Sequence, residues 1–366
     1  MERSRRRLRG DVSPAWTAWS GVVLRRAHAF RLGLVCTRGR PGGQRAECAR
    51  WPGLHLGDRR LCLSVGRLRA IFRLSGSAAA CTSSSSQAWR RGTSLIHIGT
   101  SGFSYKDWIG HFYPEGLPQG RWLEYYARHF HTCELNYTFY RMPTAAALAK
   151  MASRVPPDFR FAVKAFQGIT HEREGVEDYL SQFSEAVQPL WQAGQLGAVL
   201  LQFPYSFHPD ARAEDLLKRC KEGLDGLPIV VEMRNQAWLR EDLFGLLRRL
   251  GFGFCCVDEP RLPGLMPPIA IATAPVAYVR FHGRNAAKWF TAEEGWERYD
   301  YTYSRDELLE WVPKIRSLDE QAEDTYVYAN NHWQGQATDT ARQLRLLLES
   351  PAPDLRQAEE GTDVRS

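Results

Sequence analysis

The 366-residue sequence has no Cys-x-x-Cys pair, no lysine before Lys106 and no glycine-rich phosphate loop after its first strand-like run. Nor does any uncharged apolar stretch approach the ~20 residues that a membrane-spanning helix requires. The longest candidate, Pro267 to Val279, is short and broken by proline. These absences argue against a helical membrane span and weaken a doubly wound, dinucleotide-binding sheet. Eight cysteines are present, at 36, 48, 62, 81, 133, 220, 255 and 256. Their spacing to one another and to histidine does not suit zinc, and nothing suggests a secreted disulfide scaffold. The four from Cys133 onward sit in apolar surroundings and are expected as buried, reduced thiols.

The missing lysines belong to a wider asymmetry. Residues 1–91 hold 19 arginines and four acids, a formal +15, whereas the remainder sums to −8. A total of +7 therefore hides an acidic body, and duplex nucleic acid is disfavoured as its partner. Residues 1–94 show no sustained period and end in the low-complexity run Ala78 to Ser86. Arginine-rich, acid-poor and serine-containing is the composition of an organelle-targeting segment; a disordered tail or a gene-model artefact fits as well. The expected location is intracellular: cytoplasmic, or mitochondrial if the extension is a genuine presequence. Residues 351–366 read as a disordered tail. With 44% hydrophobic and 12% aromatic residues, the chain can bury a substantial core.

From residue 95 to 350, strand-like runs alternate with amphipathic helical stretches. The runs are 96–102, 133–140, 159–166, 197–204, 228–235, 252–258, 276–283 and 325–331. Leu180, Phe183, Val187, Leu190 and Trp191 form one helical stripe; Leu239, Leu243, Leu246, Leu247 and Leu250 form another, stopped by Gly251. Ser304 with Glu307 is a capping box. Eight alternations predict an α/β fold, a TIM-type (β/α)8 barrel. One unit departs from the pattern: Glu259 to Pro275 holds five prolines and replaces the helix after strand six with an irregular segment.

The stretch Val231-Glu232-Met233-Arg234 puts an acid and a base on one face of an otherwise apolar strand. The same polar parity collects Glu134, Asn136, Thr138 and Tyr140 from strand two, Lys164 from strand three and Gln202 from strand four. Strands six to eight add Asp258, then Arg280 and His282, then Asn330. If these faces point inward, Glu134, Glu232 and Asp258 meet Lys164, Arg234 and Arg280 beside His282. Buried charges must pair or line a wet pocket, so either a self-satisfied ionic plug or a functional pocket results. Arg284 and Asn331 follow on the loops, among Trp289, Tyr299, Tyr301, Tyr303, His332 and Trp333. Bases mixed with aromatics suit a ligand that is anionic and flat-faced, such as a nucleotide or a sugar phosphate.

Gly99-Thr100-Ser101-Gly102-Phe103-Ser104-Tyr105, Glu134-Leu135-Asn136-Tyr137-Thr138-Phe139-Tyr140, Lys164 with Thr170-His171, and Gln202 with Pro204 form one ordered set of motifs. Glu232-Met233-Arg234 with Trp238, Tyr278 to Arg284 and Asn330-Asn331 continue it. In these the chain resembles the YecE-like family, domain-of-unknown-function family 72, over residues 95–349. It departs at Ala329, where the family usually has an aromatic, and at Tyr205, where it has a second proline. The resemblance implies the same barrel and supplies no activity, although barrels of this shape keep phosphodiester cleavage in view. The leading expectation is an enzyme, a hydrolase or lyase acting on a phosphate- or carboxylate-bearing substrate. Arg234, Arg280 and Arg284 would hold the anion, and Glu134, Glu232, Asp258 and His282 would do the acid–base work. A non-catalytic ligand- or nucleic-acid-binding module is the alternative, and a glycosidase using Glu134 and Glu232 ranks third. No cofactor is expected; a divalent metal is the weaker reading, because three bases crowd the few candidate ligands.

Overall fold

Eight parallel strands close on themselves in sequence order, with β8 paired to β1. They are β1 (Leu95–Ser101), β2 (Thr132–Leu135), β3 (Arg160–Lys164), β4 (Leu196–Gln202), β5 (Ile229–Glu232), β6 (Gly253–Asp258), β7 (Val276–Phe281) and β8 (Asp324–Ala329). The structure is a computed structural model that describes residues 95–240 and 242–350. The expectations for 1–94 and 351–366 lie outside the described residues. Among the described residues no helix is long and apolar enough to cross a membrane.

The helices between strands form the outer layer: α1 (Trp122–Tyr126), α2 (Tyr137–Tyr140), α3 (Ala145–Ala152), α4 (Val176–Gln192) and α5 (Ala211–Gly223), then α6 (Leu243–Leu250), α7 (Arg305–Leu309), α8 (Val312–Gln321) and α9 (Gln336–Glu349). In α4, Leu180, Phe183, Val187 and Leu190 are buried as a stripe, but Trp191 faces out. Each such buried side chain contributes roughly 1.5–3 kcal/mol. Helix α6 ends at Gly251 in the left-handed region (φ 70°), and both halves of the Ser304–Glu307 capping box form. Glu259 to Pro275 contains no helix, as its prolines dictate. Cys133, Cys220, Cys255 and Cys256 are free and buried; the other four cysteines lie outside the described residues.

Several expected strands stop early, and the second and fifth fall shortest. The second ends at Leu135, and Tyr137–Tyr140 turns into α2 instead of continuing to 140. Thr138 sets its hydroxyl between the carbonyl oxygens of Leu135 (2.9 Å) and Lys164 (2.6 Å), tying off the ends of β2 and β3 together. The fifth ends at Glu232, which leaves Arg234 on the loop at the barrel mouth. Deeper in the barrel, inward tyrosines replace the usual aliphatic layers. Tyr326 stacks on His97 (4.8 Å), and Tyr278 lies 5.2 Å from Tyr328. Gly197 makes room for this packing: a Cβ there would stand 2.6 Å from the Tyr326 ring.

Candidate functional site

Inside the barrel, one arginine joins two carboxylates. Arg280 of β7 donates to Glu134 of β2 (2.7 Å) and to Glu232 of β5 (2.6 Å), and all three are buried. Ser101 and Tyr278 also donate to Glu134, at 2.8 and 2.7 Å. On the other side of Glu232, Oε1 meets the Arg234 Nε and lies 3.3 Å from His282 Nε2. Burial would raise the Glu232 carboxyl, but Arg234 and Arg280 hold it well below the usual range. Two guanidiniums thus neutralise two carboxylates, which is the ionic plug. The acid and base of Glu232-Met233-Arg234 share a face because they pair with each other.

Above the plug, at the C-terminal ends of the strands, opens a cavity of about 350 Å³. Lys164, Gln202 and Arg234 reach it from the ends of β3, β4 and β5; Trp289, Arg298 and Tyr299 reach it from the loop after β7. Among the described residues three cationic side chains line this cavity and no carboxylate does. The Lys164 Nζ sits 4.2 Å from the centroid of the Phe139 ring, and burial, then Arg280, bring its pKa down to about 7. Among the described residues Lys164 and Arg298 have no ion-pair partner, and the buried Nε of Arg298 has no hydrogen-bond partner. Arg234 is different: it also approaches Glu259 (3.5 Å) and lies 5.9 Å from the Trp289 ring. Burial pushes Glu259 up to about 7 although Arg234 opposes the rise.

The sequence parity fails on β6. Cys255 points inward, its Sγ 3.8 Å from Glu232 Oε2, so Asp258 points outward and Glu259 faces Arg234. Phe254 to Val257 is apolar on both faces, and such a run carries no sign of which face is which. Asp258 is not an acid–base group: both oxygens accept from Arg284 (2.9 and 2.8 Å), and Tyr303 and Trp311 donate to it at 2.7 Å each. Arg284 continues to Glu310 (2.9 Å) and Glu307 (3.4 Å), so it clamps helices and does not line the cavity. Asn331 donates to Tyr301 O and Thr340 Oγ1 outside the barrel. His282 is fully buried, and burial, then Arg234, lower its pKa to about 3. It is therefore neutral, with Asn330 Nδ2 3.0 Å from its Nδ1. Arg280 is not among the side chains that line the cavity and is held between Glu134 and Glu232.

Asn136 lines a second, larger cavity of about 550 Å³ with Tyr105, Leu135, Tyr137 and Met151; the exposed Tyr140 borders both cavities. Among the described residues the only charged side chain in the larger one, Arg154, is paired with Glu124 (3.0 Å), so the unpaired cations gather at the smaller. Of the acidic and basic side chains at or beside the mouth, sequence reasoning left His171, Glu259 and Arg298 out of the site. Arg298 stands directly before Tyr299 in the aromatic loop, which is the signal that was there to read. Among the described residues no three His, Cys, Asp or Glu side chains are grouped to hold a metal ion.

A family model described as "Protein of unknown function DUF72" matches residues 97–362. The chain is 32% identical over 273 residues to the UPF0759 protein YunF of Bacillus subtilis, covering 70% of this chain and 95% of that protein. Its structure is similar to that of a DUF72 family protein from Thermotoga maritima, with a TM-score of 0.66 and 38% identity over 70% of this chain and all (100%) of that one. A DUF72 family protein from Enterococcus faecalis gives a TM-score of 0.63 at 26% identity, over 70% and 97% of the two chains. The chain belongs to the DUF72 family of proteins of unknown function.

Proposed function

We propose that the mouth cavity binds an anionic small molecule with a flat face and that the protein is an enzyme, a hydrolase or a lyase, acting on it. The observation that carries this reading is a cavity lined by Lys164, Arg234 and Arg298 and, among the described residues, by no carboxylate. Arg234 is matched from behind by Glu232 and Glu259, but Lys164 and Arg298 have no ion-pair partner among the described residues, so the cavity favours a ligand that brings the missing charge. Trp289, Tyr299 and Phe139 offer ring faces beside the cations, which suits a nucleotide-like body. Arg298 would hold the anion, and Arg234, which reaches the mouth although Glu232 and Glu259 share its charge, would support it. Lys164, with a pKa of about 7, is poised to accept and return a proton at neutral pH.

Glu134 and Glu232, the bases expected from sequence, suit this work less well. One guanidinium holds both, and Glu232 is far too acidic to serve as a glycosidase's proton donor. Calorimetric titration of the full chain with adenosine 5′-monophosphate and with adenosine tests the reading. The phosphate should tighten binding about 10–100-fold, the scale of a charge-assisted contact worth ~1.5–3 kcal/mol. Equal affinity for the two, or binding of neither, would contradict an anion site for this class of ligand. Phosphate-dependent binding with no turnover of any phosphate or carboxylate compound would leave a binding module in place of an enzyme.

A further inference from the structure

We propose that Lys164 forms an imine with an aldehyde or ketone substrate that also carries an anionic group. The inference rests on the anion-binding reading above and adds the reaction class. Of the three cations at the cavity, two are arginines, which stay protonated and hold anions bidentately. Lys164 is the one that can shed its proton and present a lone pair. Its surroundings favour that: it is half-buried, Arg234 lines the same cavity, and it has no ion-pair partner among the described residues. Burial and the guanidiniums outweigh the Phe139 ring, whose face favours the charged form. A lysine kept only as a counter-charge would pair with a carboxylate; this one pairs with none among the described residues. Burial, then Arg280, bring its pKa down to about 7 against the opposing pull of Glu232 and Glu134. It is also anchored at the last position of β3, a rigid mount at the face where barrel chemistry occurs.

The step balances without an oxidant or reductant. The neutral Nζ adds to the carbonyl carbon, forming C–N as the C=O π bond breaks, and one Nζ proton passes to the oxygen. That hydroxyl takes a second proton from solvent in the open mouth and leaves as water, giving a protonated imine. The cationic nitrogen then takes up the electron pair of the neighbouring carbon–hydrogen or carbon–carbon bond, giving an enamine as a proton passes to solvent or a carbonyl fragment departs. Reprotonation at carbon and addition of water release the product and free Lys164, which is the chemistry of a lyase.

Pyridoxal 5′-phosphate is a suitable probe because it joins an aldehyde, a phosphate and a flat ring. The full chain is incubated with it, reduced with borohydride, digested and mapped. Label should fall on Lys164 at least about tenfold above the exposed Lys106 and Lys288, and vanish from this site in Lys164→Arg. In Arg298→Gln, half-labelling should need about tenfold more probe. Label on exposed lysines with Lys164 unmodified overturns the imine. Pyridoxine 5′-phosphate, which lacks the aldehyde, separates the two failures. If it binds in an Arg298-dependent way while Lys164 stays unlabelled, the anion site stands and the imine falls. If its binding ignores Arg298, both fall.

Discussion

Lys164 and Glu259 both titrate near neutrality, because burial disfavours the charge on each. Their consequences for stability have opposite signs. Glu259 has its pKa raised from 4.5 to about 7, so between those values the folded state binds more protons than the unfolded one. Stability from this group is complete below about pH 4.5 and is lost as pH rises to about 7. Lys164 falls from 10.5 to about 7, so the unfolded state binds more protons in that window and stability rises with pH there. Urea unfolding at pH 5, 7 and 9 should therefore show a loss from 5 to 7 that Glu259→Gln flattens. A gain from 7 to 9 should flatten in Lys164→Met. Slopes identical to wild type in both variants would mean that neither group is shifted. The sequence shows Lys164 plainly, since it is polar at the end of an apolar run. It hides the shift, which comes from the neighbours that folding supplies.

Strands and helices carry a second lesson, about parity. Alternation correctly places Glu134, Glu232, Arg280, His282 and Asn330 inside, because each follows an apolar–polar rhythm. It fails at β6, where both faces are apolar, and it overruns β2, whose aromatic and threonine residues favour a strand that the barrel rim does not continue. Asp258 shows what the misassigned residue does: it ties Arg284, Tyr303 and Trp311, and hence α7 and the start of α8, to the end of β6. Asp258→Ala leaves the buried Trp311 N–H and Tyr303 hydroxyl without their acceptor and Arg284 without its bidentate partner. Chemical denaturation should show a loss of about 3–5 kcal/mol. Affinity of the folded protein for adenosine 5′-monophosphate should stay unchanged. A stable variant with impaired ligand binding would return Asp258 to the functional set.

At the scale of the whole molecule, the barrel was legible because eight apolar runs and the helical stripes between them recur in order. The division of its polar interior was not. Side-chain parity tells which face a residue takes, but not how deep it lies along the barrel. Arg280 and Arg234 therefore look alike in sequence, while one is locked between Glu134 and Glu232 and the other reaches the mouth. The result is a neutralised plug with a cationic cavity above it, and the claim that this cavity is the binding site rests on its unpaired cations. Arg298 isolates that claim best, since among the described residues it has no ion-pair partner to strand. In Arg298→Gln, titration with adenosine 5′-monophosphate should show affinity lowered about 10–100-fold, ~1.5–3 kcal/mol. Urea unfolding in parallel should stay within about 0.5 kcal/mol of wild type. Unchanged affinity in an equally stable variant would contradict the mouth cavity as the site of anion binding.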